Sequence, residues 1–168
     1  ELRARAYLAL GECYLILDKQ VPEDAPPDDA EAATREAAQY SVQAQQAYEA
    51  ALASADSAYV RGIAKYGLGY SLMFQSRWDE AEKCFAELLA GMSGDTLKQK
   101  QMAWQKLGAE RTVTGRPASW NLTPAWGKLI QMGAYWRAEC LSSLERGAEA
   151  GELLSEVVGE FGRDKPTH

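Results

Sequence analysis

The single histidine of this 168-residue chain is His168, its last residue, where a chain end frays. Ser-His-Asp catalysis, Cys-His catalysis and any His-ligated metal site are excluded with it. Cys13, Cys84 and Cys140 are odd in number, far apart and set among apolar neighbours, with no C-x-x-C pair. That pattern predicts buried free thiols, with Cys13 and Cys140 at equivalent inward positions, and it favours a reducing compartment. Five tryptophans (Trp78, Trp104, Trp120, Trp126, Trp136) and carboxylates such as Glu12 and Glu139 are what a helical-hairpin enzyme or a carbohydrate-binding domain would use. No substrate-specific motif accompanies them, so the expectation is no enzyme, no cofactor and no metal. The run Arg77-Trp78-Asp79-Glu80-Ala81-Glu82-Lys83 reads as the first turn of a helix, its acids at the positive dipole end. Asn121-Leu122-Thr123 matches a glycosylation acceptor but reads as a turn, with Thr123 capping a helix opened by Pro124. Trp120, beside Gly115, Pro117 and Asn121, either fixes its loop or stands out as an exposed anchor. No glycine pattern of a phosphate cradle occurs.

These residues must be positioned by helices. The chain holds 28 Ala and 18 Leu against 6 Val, 3 Ile and 6 Thr, a balance that nearly excludes a β-rich fold. Its length suits a single domain able to bury a core without disulfides. With 18 basic and 24 acidic residues the formal charge is −6, and the basic residues are scattered, so a nucleic-acid partner is not expected. No apolar stretch approaches the ~20 residues of a membrane span, which reads as a soluble domain with no transmembrane segment. The compartment is open, cytoplasmic slightly favoured and bacterial periplasmic allowed. Opening on Glu1-Leu2-Arg3 inside a helical pattern, the chain is expected to be a piece of a longer protein, and its Ala- and Gly-rich composition reads as bacterial.

Apolar residues recur at helical spacing over 1–19, 29–54, 57–76, 78–91, 95–113, 123–145 and 147–161. The acidic, Pro-rich segment at about 20–30 is expected to be a loop ending in an Asp N-cap, and 112–123 a second long connection.

Internal repetition orders these helices. Gly11-Glu12-Cys13-Tyr14-x-x-Leu17 parallels Ala138-Glu139-Cys140-Leu141-x-x-Leu144. Tyr7-x2-Leu10-Gly11-x2-Tyr14, Trp104-x2-Leu107-Gly108 and Leu68-Gly69-x2-Leu72 share another pattern. Ala44-x3-Tyr48-x2-Ala51, Ala81-x3-Phe85-x2-Leu88 and Ala150-x3-Leu154-x2-Val157 share a third. Together they resemble the tetratricopeptide repeat, W-x2-L-G-x2-Y…A-x3-F…P. Glycine inside a helix costs ~1 kcal/mol relative to alanine, so Gly11, Gly69 and Gly108 are expected where a partner helix approaches closely, beside a bulky Tyr48 or Phe85. The spacings Gly69 to Ala81 and Ala138 to Ala150 agree, and the first repeat is longer by the Pro-rich loop.

The resemblance implies an all-α fold of antiparallel helix pairs stacked as a right-handed superhelix, an α-solenoid. It implies a protein–protein interaction scaffold whose concave groove receives a peptide or partner helix. Carried onto this sequence, the groove candidates are Leu8, Glu12, Tyr66, Tyr70, Met73, Gln105, Tyr135 and Glu139. Tyr66, Tyr70 and Met73 are expected to form one stripe, with Tyr66 either open or packed by its neighbours. Leu8 and Glu12 depart from the Lys and Asn of repeats that bind C-terminal carboxylates. The expected partner segment carries apolar anchors flanked by Lys or Arg. Oligomeric state is open.

Overall fold

The computed structural model describes residues 2–18, 27–112 and 128–162, and among them every regular element is a helix. The helices are α1 (Leu2–Asp18), α2 (Pro27–Ala53), α3 (Ala58–Phe74), α4 (Trp78–Ala90), α5 (Leu97–Thr112), α6 (Leu129–Ser143) and α7 (Gly147–Phe161). α2 begins at Pro27 rather than behind an Asp cap near 29, because a fixed φ and a missing N–H are harmless at a first helical position. Residues 19–26 of the acidic segment, the connection at 113–127 with Trp120, Asn121, Thr123, Pro124 and Trp126, and His168 lie outside the described residues.

The chain divides into two compact units, Glu1–Ala81 and Glu82–His168. Packing within each is sequential: α1 on α2 and α2 on α3 in the first, α5 on α6 and α6 on α7 in the second. The first unit is centred on Tyr48 of α2, buried with Ala44 and Ala51 one turn to either side. A Cβ on Gly11 of α1 would lie 2.8 Å from Tyr48 Cζ, and one on Gly67 of α3 would overlap the same ring. Two bare backbones thus flank one aromatic ring, which is why both helices tolerate a mid-helix glycine. In the second unit a Cβ on Gly133 of α6 would come within 2.9 Å of Leu88 Cδ2 of α4. Ala138 and Leu141 pack with Ala150, Leu153 and Leu154 to join α6 to α7.

α3 and α6 end in the same way. Arg77 N–H donates to Leu72 O (3.0 Å) and Ser76 N–H to Met73 O (2.9 Å), with Ser76 at φ 56°. Arg146 N–H donates to Leu141 O (2.9 Å) and Glu145 N–H to Ser142 O (3.1 Å), with Glu145 at φ 61°. Both are left-handed helix stops that satisfy terminal carbonyls. The following helices also open alike: Arg77 grips Glu80 and Arg146 grips Glu149, each through two guanidinium nitrogens. Arg77 and Arg146 stand 69 residues apart, as do Glu80 and Glu149, and Ala81 and Ala150.

Caps fix the remaining ends. Ser57 Oγ accepts from Val60 N–H at the start of α3 (3.3 Å). At α5, Thr96 Oγ1 accepts from Gln99 N–H (3.3 Å) while Gln99 Oε1 accepts from the N–H groups of Asp95 (2.7 Å) and Thr96 (3.4 Å), a reciprocal capping box. A carboxylate oxygen of Glu160 on α7 takes the next first-turn N–H, that of Lys98. α6 has no side-chain cap of its own at Lys128. Buried Gln101 of α5 supplies one, its Oε1 accepting from Ile130 (3.1 Å) and Gln131 (3.3 Å) N–H groups.

Candidate partner-binding surfaces

Five of the eight groove candidates fall in the first unit and three in the second. On α1, Leu8 is only 1% exposed, so it is a core residue and not a groove contact. Leu8 lies on the inner side of α1 with Ala4 and Gly11, where packing against α2 and α3 covers it. Glu12 is half-buried and its carboxylate reaches the Tyr48 hydroxyl electrostatically. Burial first, and then Glu12, pushes the Tyr48 phenol far above its ordinary range, so it stays protonated.

Along α3 the three residues expected to form one stripe differ in access. Tyr66 is 8% exposed and belongs to the packed side, which resolves the alternative left open for it. Its ring stacks on Tyr70 with centroids 6.2 Å apart, and Tyr70 meets Phe74 edge-on at 5.0 Å. Tyr70 and Met73 are half-buried and Phe74 is 45% exposed. The ladder therefore climbs from the core to the surface at i, i+4 and i+8, ending on a residue the sequence reading passed over. Phe74 was legible as the next rung of helical spacing from Tyr66 and Tyr70, but the repeat pattern stops before it.

Just past the surface end of this ladder the α3–α4 turn is tied to α2. Gln75 Nε2 donates to Gln45 Oε1 (3.1 Å) and to Ser71 O (3.2 Å), while Arg77 Nη1 donates to the same Gln45 oxygen (2.8 Å). Gln45 in turn donates to Glu49 Oε1 (2.8 Å). The amides and the guanidinium hold the end of α3 in place beneath Phe74.

In the second unit Gln105 is exposed on α5, Tyr135 is 42% exposed on α6 and Glu139 is half-buried one turn further on. The Tyr135 hydroxyl bonds the Glu139 carboxylate, which raises its pKa. Its ring meets Trp136 edge-on at 4.9 Å. Trp104 is fully buried, as a packing tryptophan should be, while Trp78 is half-buried.

The paired cysteines do not share an environment. Cys140 is buried, and burial, with Glu82 next, pushes its thiol up to about 12. Cys13 is exposed, which corrects its inward assignment. α6 is covered on two sides, by α4 through Arg137 to Glu82 (2.7 Å) and by α7 through Ala150. α1 packs on α2 and α3 with Ala4, Leu8 and Gly11, and position 13 lies on the opposite side. Among the described residues no group of three or more His, Cys, Asp or Glu side chains is arranged to hold a metal ion. No described helix is long and apolar enough to cross a membrane.

No family model, curated protein or solved structure matches the chain.

Proposed function

We propose that the chain is a tetratricopeptide-like repeat scaffold that binds a partner protein segment, with Tyr70, Met73 and Phe74 of α3 as its apolar contacts. The observation that carries the repeat reading is the turn used twice at a spacing of 69 residues, near two lengths of a 34-residue repeat. The buried Ala44, Tyr48 and Ala51, and again Ala81, Phe85 and Leu88, support it, since these are the packing positions of the second helix in such a pair. In this reading the pairs stack as a right-handed superhelix and leave the first helices to line the binding face.

The partner is a segment with large apolar anchors, because a Phe, a Tyr edge and a Met thioether offer an adaptable apolar surface. Half-buried Glu12 favours Lys or Arg beside those anchors. The test is selection from a library of displayed peptides. Enrichment of peptides with apolar anchors next to Lys or Arg, lost in folded Tyr70→Ala and Phe74→Ala variants, is the expected result. Enrichment that both variants retain would remove α3 as the binding face.

A further inference from the structure

We propose that the cleft between α1 and α3 receives the ammonium of a lysine on the partner segment, between the Tyr48 hydroxyl and the Glu12 carboxylate. The site rests on the α3 binding face argued above and fixes which basic residue the bound segment carries. Tyr48 belongs to α2, and its Cζ, which bears the hydroxyl, is the ring atom nearest to a Cβ at both Gly11 and Gly67. The hydroxyl end of the ring therefore points between the α1 and α3 backbones. Tyr48 is 1% exposed, and among the described residues its hydroxyl makes no hydrogen bond. Packing does not ask for that hydroxyl, because Phe85 stands at the matching position of Ala81-x3-Phe85-x2-Leu88. A buried hydroxyl without a partner is a cost, and a ligand that bonds it removes the cost.

Charge and shape choose the occupant. Glu12, then Tyr66 and Cys13, act on the hydroxyl, and among the described residues no basic side chain joins them. The phenol keeps its proton, so its oxygen offers a lone pair. A carboxylate has about four acceptor sites, so Glu12 keeps room for an ammonium beside its contacts within the chain. An ammonium carries several N–H donors and the charge opposite to Glu12, and it satisfies both acceptors at once. The hydroxyl lies beneath both helices, within reach of a compact ammonium on a slim stem and not of a broad planar guanidinium. The stacked Tyr66 and Tyr70 rings run from this point outward to Phe74, an apolar wall for the methylenes of the stem. Glu12 and Tyr70 are half-buried, so a rotamer change at the rim admits the ammonium, a common adjustment on binding.

The first probe is n-butylammonium, the lysine side chain alone, titrated to millimolar excess into the isotope-labelled chain and followed by nuclear magnetic resonance at the Gly11 and Gly67 amides. Saturable shifts of both are expected, absent with n-butanol and n-butylguanidinium. Tyr48→Phe, which keeps the ring, should weaken this binding about tenfold, as should Glu12→Gln. Tyr48→Phe should also unfold in urea no earlier than the parent chain, as removal of an unbonded hydroxyl requires. Among peptides selected on the α3 face, lysine rather than arginine should be enriched beside the apolar anchors, and Tyr48→Phe should erase that preference while the anchors stay. The site is overturned by equal shifts from all three probes, by shifts that Tyr48→Phe leaves unchanged, or by a Tyr48→Phe chain less stable than the parent. No shift at all does the same. Peptide enrichment that needs Tyr70 and Phe74 but is indifferent to Tyr48→Phe overturns the lysine site and leaves the α3 face standing. Saturable ammonium binding with enrichment indifferent to Tyr70→Ala and Phe74→Ala keeps the ammonium site and removes the α3 face.

Discussion

Tyr48 decides how closely α1 and α3 approach α2, and two glycines decide whether its ring fits. Gly67→Ala adds a methyl inside that ring's space, a strain of about 1–3 kcal/mol that exceeds the ~1 kcal/mol alanine gains in helix propensity. Gly151 on α7 is the counter-case, since a Cβ there meets nothing within 4 Å. Urea unfolding should show Gly67→Ala destabilised and Gly151→Ala stabilised by about 0.5–1 kcal/mol. That a bulky Tyr48 would sit against a mid-helix glycine was legible from the repeat pattern at Gly11, where the contact is found, but on α3 the pattern named Gly69, whereas the glycine against the ring is Gly67. Gly67 and Gly69 lie on opposite sides of α3, and both sides are buried, so small residues alone did not say which side receives the ring. The cysteines fail for a related reason: equal sequence neighbours do not make equal packing, and only α6 is covered on the side that holds its cysteine. A thiol reagent should therefore modify Cys13 rapidly and Cys140 only on unfolding. The Cys140 thiol is raised from 9.0 to about 12, so the folded state holds its proton longer than the unfolded state. Its contribution to stability is complete below pH 9 and declines as pH rises towards 12, the sign a Cys140→Ala comparison of unfolding against pH should show.

Among the elements, helix identity was open to reading because Ala, Leu and the prolines agree with one another, whereas helix ends depend on partners distant in sequence. α6 shows this most directly. Its first N–H groups are capped by Gln101, 29 residues earlier in the chain, and no local pattern announces such a pairing. Gln101→Leu keeps the volume and helix propensity but strips the acceptor from two buried or half-buried N–H groups. It should cost about 1–2 kcal/mol in urea unfolding, within the range for losing an N-cap. A cost below about 0.3 kcal/mol would mean that water replaces the amide. The α3–α4 and α6–α7 turns were visible as equal spacings between small residues, but their left-handed stop was hidden, because Ser76 and Glu145 are not the glycine that such positions favour. Supplying that glycine relieves the strain of a positive φ. Ser76→Gly and Glu145→Gly should each raise stability by about 0.5–1 kcal/mol, an unusual sign for a glycine substitution beside a helix.

For the molecule as a whole, the division between the two units falls inside α4, one continuous helix from Trp78 to Ala90. Its Ala81 is buried at the edge of the first unit, while Phe85 and Leu88 are buried at the beginning of the second. A 13-residue helix is marginal without tertiary packing, and its turns form cooperatively. Neither unit can release its share of α4 without fraying the share that belongs to the other. The chain should therefore unfold in one transition, seen at the same urea concentration by far-ultraviolet circular dichroism and by tryptophan fluorescence. The two turn glycines turn this into a sharper test, because Ser76 and Glu145 lie in different units. If α4 couples the units, either substitution moves the one shared midpoint, and the double variant moves it by the sum, as distant sites do. Two midpoints, each shifted by only one of the substitutions, would show that α4 melts at the division and that the units unfold separately.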